Sequence, residues 1–124
     1  MSWTLASMNL DARMTAMPSP VGVISWPNEE TPTQPVPYYA VHFLPATVEP
    51  ELSGADHEKG TYQVSVFIPA TLGIGPALVA AQAVVDWFKR QNLGGVSCGV
   101  PTLTTPIQEP DWWHVPVSIP FTVL

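Results

Sequence analysis

Apolar and polar positions alternate along residues 60–69, so one side of this segment is apolar and the other is polar. A period of two is typical of a half-buried β-strand. Beyond the turn at residues 73–75 the apolar positions recur at steps of four and three, which indicates an amphipathic helix over 74–91. The pattern predicts that this helix covers the apolar side of a sheet. Its apolar stripe is Ile74, Leu78, Ala81, Val85 and Phe88, and the apolar strand positions are Tyr62, Val64, Val66 and Ile68.

The remaining segments predict a first helix and further strands. The first helix is expected over residues 3–17, with Leu5, Met8 and Ala12 on one face and Pro18 as its stop. We therefore predict one α+β domain over residues 1–124, with a mainly antiparallel sheet of four to five strands covered by one long helix, plus the N-terminal helix. The strands are expected at 38–44, 60–68, 97–105 and 112–123, with a shorter one at 21–26.

Two long connections interrupt this pattern. Six of the 15 prolines lie between Pro18 and Pro37, and residues 27–37 have no periodicity, so they are expected to form an extended arm of polyproline character. Residues 45–59 form a second, acidic connection between two strands of a hairpin. Each segment either reaches a neighbouring subunit or is a solvated surface loop.

The C-terminal strand carries two prolines of the same parity, Pro116 and Pro120. Residues of one parity direct their N–H groups to one side of a strand, so both prolines remove donors from the same side of the ladder. A regular central strand would not tolerate this loss. The strand is therefore expected to lie at the sheet edge or to pair with an irregular partner.

Charge and composition exclude several classes of protein. The net charge is −6 and charged residues make up 11% of the chain, against a usual value of about 25%. A chain with four basic residues has no basic face for binding DNA phosphates or a membrane surface. No signal peptide is expected at the N-terminus, and no apolar stretch is long enough to span a bilayer.

No candidate for catalysis or metal binding is convincing. His42, His57 and His114 lack metal-ligand spacing, and Cys98 has no basic neighbour in sequence and resembles a packed small residue. The turn at residues 73–75 lacks the third glycine and the lysine of a phosphate-binding loop. Asp111 before two tryptophans is explained by a turn, with a stacking platform as the less favoured interpretation. We expect no enzyme activity, no metal and no cofactor.

Several motifs, taken in order, resemble a known family. They are Ile24-Ser-Trp-Pro-Asn28, Pro37-Tyr-Tyr-Ala-Val-His-Phe-Leu-Pro45, Gly60-Thr-Tyr-Gln-Val-Ser-Val-Phe-Ile-Pro69, Gly73-x-Gly75 and Trp113-His-Val-Pro-Val-Ser-Ile-Pro-Phe121. Across residues 20–122 the chain is similar to the tail terminator family of long-tailed bacteriophages, small proteins related to the minor tail protein U of phage lambda. The resemblance implies a structural virion protein at the neck end of the tail, made in the host cytoplasm. Its subunits form a homohexameric ring that caps the tail tube, stops tube elongation and offers a surface to the head or neck connector.

The resemblance implies the partners: further copies of the chain, the tail tube protein and the head–tail connector, with DNA passing through the ring without specific binding. An acidic channel would repel DNA phosphates and let the DNA slide. Other candidates are a different head–tail connector, a tail tube subunit or a small monomeric ligand-binding domain. The residues expected at a subunit interface or at the channel are Trp26, Glu49, Glu51, Asp56, Glu58 and Trp112.

Overall fold

The structure is a computed structural model that describes residues 2–17, 24–26, 37–50 and 56–123. It has the expected α+β class, with helices and strands that follow the predicted order. The helices are α1 (Ser2–Thr15) and α2 (Ile74–Phe88), and a short 3-10 turn (Ala70–Leu72) precedes α2. The strands are β1 (Ile24–Ser25), β2 (Tyr38–Pro50), β3 (Asp56–Pro69), β4 (Val96–Cys98), β5 (Thr102–Leu103), β6 (Ile107–Gln108) and β7 (Trp112–Val123).

The sheet is larger and more mixed than the sequence predicts. In the described part of the chain it contains seven strands in the order β1-β2-β3-β7-β4, and β5 and β6 also pair with β7. Strand β1 runs parallel to β2, whereas the other pairs are antiparallel. The expectation of four to five strands was therefore wrong, mainly because the single strand predicted at 97–105 is replaced by the three short strands β4, β5 and β6.

The two prolines of β7 explain why its partner is broken into pieces. The carbonyl oxygens of Pro116 and Pro120 accept hydrogen bonds from the N–H groups of Thr104 and Gly99, on the side opposite β3. The N–H and C=O of one residue point to the same side of an antiparallel strand, so the missing donors face β4, β5 and β6. The sequence predicts that β7 either lies at the sheet edge or pairs with an irregular partner. The irregular partner is confirmed, and β7 lies between β3 and β4 and not at the edge.

The second connection is shorter than predicted. Strands β2 and β3 stay paired from Tyr38↔Phe67 to Pro50↔Asp56, with one register shift between Pro45 and Thr47, so only residues 51–55 lie between them. The sequence predicts a loop over residues 45–59 because acidic residues interrupt the apolar alternation. Ladder hydrogen bonds connect backbone groups, so strand pairing can continue where the apolar alternation stops. Residues 27–36 of the predicted arm lie outside the described residues.

Glycine is required at position 60, where β3 passes between two close neighbours. A Cβ atom built on Gly60 would lie 2.7 Å from the carbonyl oxygen of Leu44 and 2.7 Å from the ring of Phe121. The Phe121 ring covers the glycine and stacks on Phe43, with the ring centroids 5.3 Å apart. Gly60, the first residue of the motif Gly60–Pro69, therefore leaves space for the ring of Phe121 to pack across β3 onto Phe43 of β2.

Two helices of similar length cover the sheet, not one long helix. Helix α1 has 14 residues and α2 has 15. Tyr62 of β3 contacts both, because its hydroxyl donates a hydrogen bond to Asp11 of α1 and its ring lies 5.8 Å from that of Phe88 of α2. Both helices therefore lie on the same face of the sheet.

The buried stripes of both helices differ from the predicted ones. Helix α1 buries Ala6, Leu10 and Met14, whereas Leu5, Met8 and Ala12 are exposed. Helix α2 buries Ala77, Ala80, Ala81, Val84 and Phe88, so only Ala81 and Phe88 of the predicted stripe are fully buried. Val85 is half-buried, and Ile74 and Leu78 are exposed. Helix α2 is apolar around much of its circumference, so its sequence is compatible with several buried faces. The structure buries the face that carries the alanines, because small side chains allow close approach to β3 and β7.

Candidate functional site

The outer end of the β2–β3 hairpin extends two residue pairs beyond the other described strands of the sheet. We call residues 47–50 of β2 and 56–59 of β3 the hairpin tip. Glu58 pairs with Val48 on one side and with Val123 of β7 on the other. The next pairs, Glu49↔His57 and Pro50↔Asp56, have no third strand among the described residues. A two-stranded ribbon is only marginally stable by itself, so the hairpin tip is a candidate contact surface.

The six residues predicted at an interface or a channel lie in different parts of the chain. The strand register brings Glu49, Asp56 and Glu58 together in the hairpin tip, and Glu51 lies outside the described residues. Trp112 pairs with Pro69, which lies at the other end of β3 from Glu58. At ~3.3 Å per residue, Pro69 and Glu58 are about 36 Å apart along the strand. Trp26 follows β1 and packs, half-buried, against the core. Their role in assembly stays a prediction.

Trp112 belongs to an aromatic cluster on the sheet face opposite the helices. Tyr38 stacks on Phe67 with centroids 4.7 Å apart, and Trp112 meets Tyr38 edge-on at 5.3 Å. His114 stacks on the same Phe67 at 4.3 Å. Burial raises the pKa of Tyr38, and the nearby Glu109 raises it further. Packing within this cluster accounts for the position of Trp112.

His114 has one polar contact and one buried nitrogen. Its Nδ1 lies 3.4 Å from Oε1 of Glu109, while its Nε2 is buried with no hydrogen-bond partner among the described residues. His42 lies on the same sheet face and is exposed. Within the described ranges, no three His, Cys, Asp or Glu residues are grouped as metal ligands would be. These histidines therefore present no metal-type arrangement.

Cys98 lies in the core as a small apolar residue. It is 3% exposed, and burial raises its pKa to about 11 although Arg13 has the opposite effect. A thiol with such a pKa is protonated at neutral pH and is a weak nucleophile. The interpretation of Cys98 as a packed small residue is confirmed.

Helix α1 is attached to the rest of the domain by polar contacts. Nη2 of Arg13 donates to the carbonyl oxygen of Trp87 at 2.7 Å, and Nε1 of Trp87 donates to the carbonyl oxygen of Arg13 at 2.8 Å. The Arg13 guanidinium also lies 3.8 Å from the centroid of the Trp87 ring. Nδ2 of Asn9 donates to the carbonyl oxygen of Leu93 at 2.7 Å. These contacts hold α1 beside α2.

Replacing Tyr62 with Phe should weaken folding and change its pH dependence. The hydroxyl bonds Oδ1 of Asp11 at 2.6 Å, and burial followed by this bond raises the pKa of Tyr62 far above 10. At pH 7 the loss should be about 1–2 kcal/mol. Above pH 10 the unfolded chain loses this proton and the folded chain keeps it, so wild-type stability should fall faster with pH, by up to ~1.4 kcal/mol per unit. Urea unfolding between pH 7 and 11 measures both effects, and equal pH slopes would contradict the assignment.

The family of the chain follows from its sequence taken as a whole. The family model described as phage tail terminator protein matches residues 6–121, from within α1 to within β7. The chain belongs to the phage tail terminator family. Tail terminators are structural components of the phage tail, which makes the resemblance stated above a confirmed assignment.

Solved structures support the same fold for this terminator domain. One solved chain, which carries no descriptive name, superposes with a TM-score of 0.74 at 24% sequence identity. The match covers 100% of this chain and 96% of the other. At this identity the likeness establishes the fold alone. None of the curated proteins matches the sequence significantly.

Two surface features of the terminator domain were not anticipated from sequence. Exposed apolar side chains lie between residues 72 and 79, namely Leu72, Ile74, Leu78 and Val79, and Val79 is 65% exposed. Such groups often mark contact surfaces. Lys89 and Arg90, both exposed, follow the end of α2. Half of the four basic residues are adjacent here, and this signal was available in the sequence.

Among the described residues, no helix has the length and apolar character needed to span a membrane.

Proposed function

We propose that the chain is a tail terminator whose copies form a homohexameric ring on the tail tube. The ring caps the tube, stops its elongation and offers the attachment surface for the head or neck connector. The observation that carries this proposal is the family match over residues 6–121. The subunit is made in the host cytoplasm and is incorporated at the neck end of the virion tail.

Two structural features and the composition of the chain support a subunit completed by its neighbours. The two outer residue pairs of the hairpin tip, Glu49↔His57 and Pro50↔Asp56, have no third strand among the described residues. The segment at 72–79 exposes four large apolar side chains. Charged residues are scarce, at 11% of the chain, although the net charge is −6. A closed ring requires two different, complementary surfaces on each subunit, related by a rotation.

The terminator acts by geometry and not by turnover chemistry in this proposal. A catalytic group must lie within hydrogen-bond or coordination reach of its partners. In the described part of the chain, the thiol of Cys98 is buried, which raises its pKa to about 11, and His114 is stacked on Phe67. DNA crosses the ring through a channel whose overall negative charge disfavours phosphate binding.

The oligomeric mass tests the ring, and tail assembly tests its role. Light scattering and native mass spectrometry should give about six times the 13.4 kDa of one chain, and electron microscopy should show short rings. Tails assembled without the protein should have uncontrolled length or fail to join heads, and added protein should bind one tube end. Long tubes of the purified protein would indicate a tube subunit, and a stable monomer would overturn the ring.

Alanine variants test the absence of chemistry in the same assembly assay. His42→Ala, His114→Ala and Cys98→Ala should support normal tail length wherever the variant still folds. Loss of function in a folded, assembled ring would reveal a chemical site.

A further inference from the structure

We propose that the surface at the start of α2 in one subunit docks against the surface at the end of α2 in the next copy of this chain. This inference rests on the proposed ring and names a contact that closes it. The occupant of each surface is a second copy, because one surface carries apolar side chains and carboxylates while the other carries a depression and two cations.

The first surface, which we call the start patch, combines exposed apolar side chains with two carboxylates. It consists of Leu72, Ile74, Leu78, Val79, Glu109 and Asp111. The four apolar side chains are between 38% and 65% exposed. The two carboxylates adjoin them, because the Ala70 N–H donates to the carbonyl oxygen of Asp111 at 2.9 Å. An exposed apolar area bordered by charged groups is typical of a protein–protein contact.

The charge of the start patch comes from its two carboxylates. No Asp, Glu, Lys or Arg occurs in the sequence between Lys59 and Asp86, so the apolar part is uncharged. Asp111 is exposed, and the side chain of Glu109 is 42% exposed, although its Oε1 lies 3.4 Å from Nδ1 of His114. Among the described residues, no Lys or Arg pairs with either carboxylate. The start patch therefore presents negative charge beside apolar surface.

The second surface, which we call the end patch, lies at the other end of α2 and has the complementary features. It consists of Lys89, Arg90 and a depression of about 360 Å³ lined by Asn9, Ala12, Arg13, Leu93 and Gly94. Lys89 and Arg90 are exposed, and no described residue forms an ion pair with either. The end patch therefore offers two cations to an external partner, beside a depression that can receive an apolar side chain.

Backbone contacts fix the position of the end patch. The Arg90 N–H donates to the carbonyl oxygen of Gly99 at 3.1 Å, and Nδ2 of Asn9 donates to that of Leu93 at 2.7 Å. Arg90 has a φ of 54°, in the left-handed region that glycine usually occupies after the end of a helix. A basic side chain is thus held where glycine would be less strained. Such strain is often found at functional positions, which favours a role for the Arg90 guanidinium.

The placement of the two patches fits a head-to-tail ring. Helix α2 has 15 residues, so its two ends are about 22 Å apart at ~1.5 Å per residue. Two different surfaces at opposite ends of a subunit meet when each copy is rotated onto the next, and a suitable rotation closes a ring. In this contact the apolar side chains of the start patch enter the depression, and its carboxylates face Lys89 and Arg90. The opposite charges also select the orientation of the neighbours.

A charge-swap experiment tests the contact directly. The acidic-end variant carries Lys89→Glu with Arg90→Glu, and the basic-start variant carries Glu109→Lys with Asp111→Lys. Each variant alone pairs like charges at every contact, so the protein concentration for half-assembly should rise about tenfold or more. An equimolar mixture should restore rings, because alternating copies pair opposite charges at all six contacts of the hexamer. A chain with all four changes should assemble by itself.

The depression is tested by a matched pair of substitutions on α1 and the turn that follows it. Ala12 is exposed and lines the depression, so Ala12→Gln should occupy it and raise the concentration for half-assembly about tenfold or more. Ala16 is also exposed and lies one helical turn further along, outside the lining residues. Ala16→Gln adds the same side chain and should assemble as the wild type does. Equal effects of the two substitutions would contradict docking into the depression.

Two further measurements separate the contact from folding and from nonspecific effects. Circular dichroism and thermal unfolding should match the wild type for every variant, because the substituted side chains are exposed or half-exposed. The assembly defect of each charge variant should shrink in 1 M salt, where the screening length falls to about 3 Å. A defect that does not change with salt would contradict repulsion between like charges.

The outcomes distinguish the contact from the ring itself. Rings that form unchanged in both charge variants, or folded variants that fail to assemble when mixed, would overturn the docking contact and leave the ring standing. Rescue by mixing requires that the two patches meet each other, so a tube or connector protein on either patch would not produce it. A wild-type protein that stays monomeric would overturn the ring and the contact together.

Discussion

Replacing Val84 with Asp should remove most of the stability of the domain. Val84 is 0% exposed on the side of α2 that packs on the sheet. An aspartate there would bury a carboxylate without a partner, which costs about 3–5 kcal/mol. Typical domains have only about 5–15 kcal/mol of stability in total. Urea unfolding followed by circular dichroism should show a large fall in the midpoint or a chain that is already unfolded.

Val79 provides a matched control on the same helix. It is 65% exposed, so Val79→Asp should change the free energy of unfolding by no more than about 0.5 kcal/mol. Val85→Asp should give an intermediate loss, since Val85 is half-buried. Equal losses at Val79 and Val84 would mean that the buried face of α2 is assigned incorrectly.

The existence of α2 could be predicted from sequence, but its rotation could not. Gly73, with φ of 81°, ends the preceding turn, and the change of apolar period marks the start of the helix. Apolar side chains then occupy almost every direction around the axis. The sheet selects the face with Ala77, Ala80 and Ala81, because small side chains allow close packing, and this choice depends on β3 and β7.

The sheet was predictable where local chemistry constrains it. Pro116 and Pro120 are enough to show that one side of β7 lacks donors, and the structure has three short strands on that side. The hairpin was predictable only at its base. Beyond Pro45 its strands continue without apolar alternation, because ladder hydrogen bonds join backbone groups and not side chains.

The candidate contact surfaces were also only partly predictable from the sequence. The acidic residues of the hairpin tip are close in sequence, so their proximity is expected from any hairpin. Lys89 and Arg90 are adjacent in sequence, but their position beside the residues that follow β4 depends on the fold, because the Arg90 N–H donates to the carbonyl oxygen of Gly99. No local pattern encodes that placement.

Shortening the hairpin should abolish assembly and leave the subunit folded. Replacing residues 49–57 with Asn-Gly joins Val48 to Glu58, which are already paired, through a two-residue turn that suits a tight hairpin. The pairs removed have no third strand among the described residues, so the free energy of unfolding should change by about 1 kcal/mol or less. The concentration for half-assembly should rise about 100-fold or more, equivalent to ~2.7 kcal/mol per contact.

A full-length control separates the reach of the ribbon from its charge. Glu49, Glu51 and Glu58 become Gln and Asp56 becomes Asn, which keeps the length and removes the negative charge. Analytical ultracentrifugation measures assembly of both variants, and electron microscopy measures the lengths of tails assembled with them. The neutral variant should assemble more weakly than the wild type but better than the shortened chain. Ordering a ribbon costs about 1–2 kcal/mol per residue in backbone entropy, and contacts with a neighbour in the proposed ring would help to offset this cost. Hexamers that form normally without residues 49–57 would show that the ring closes through another surface.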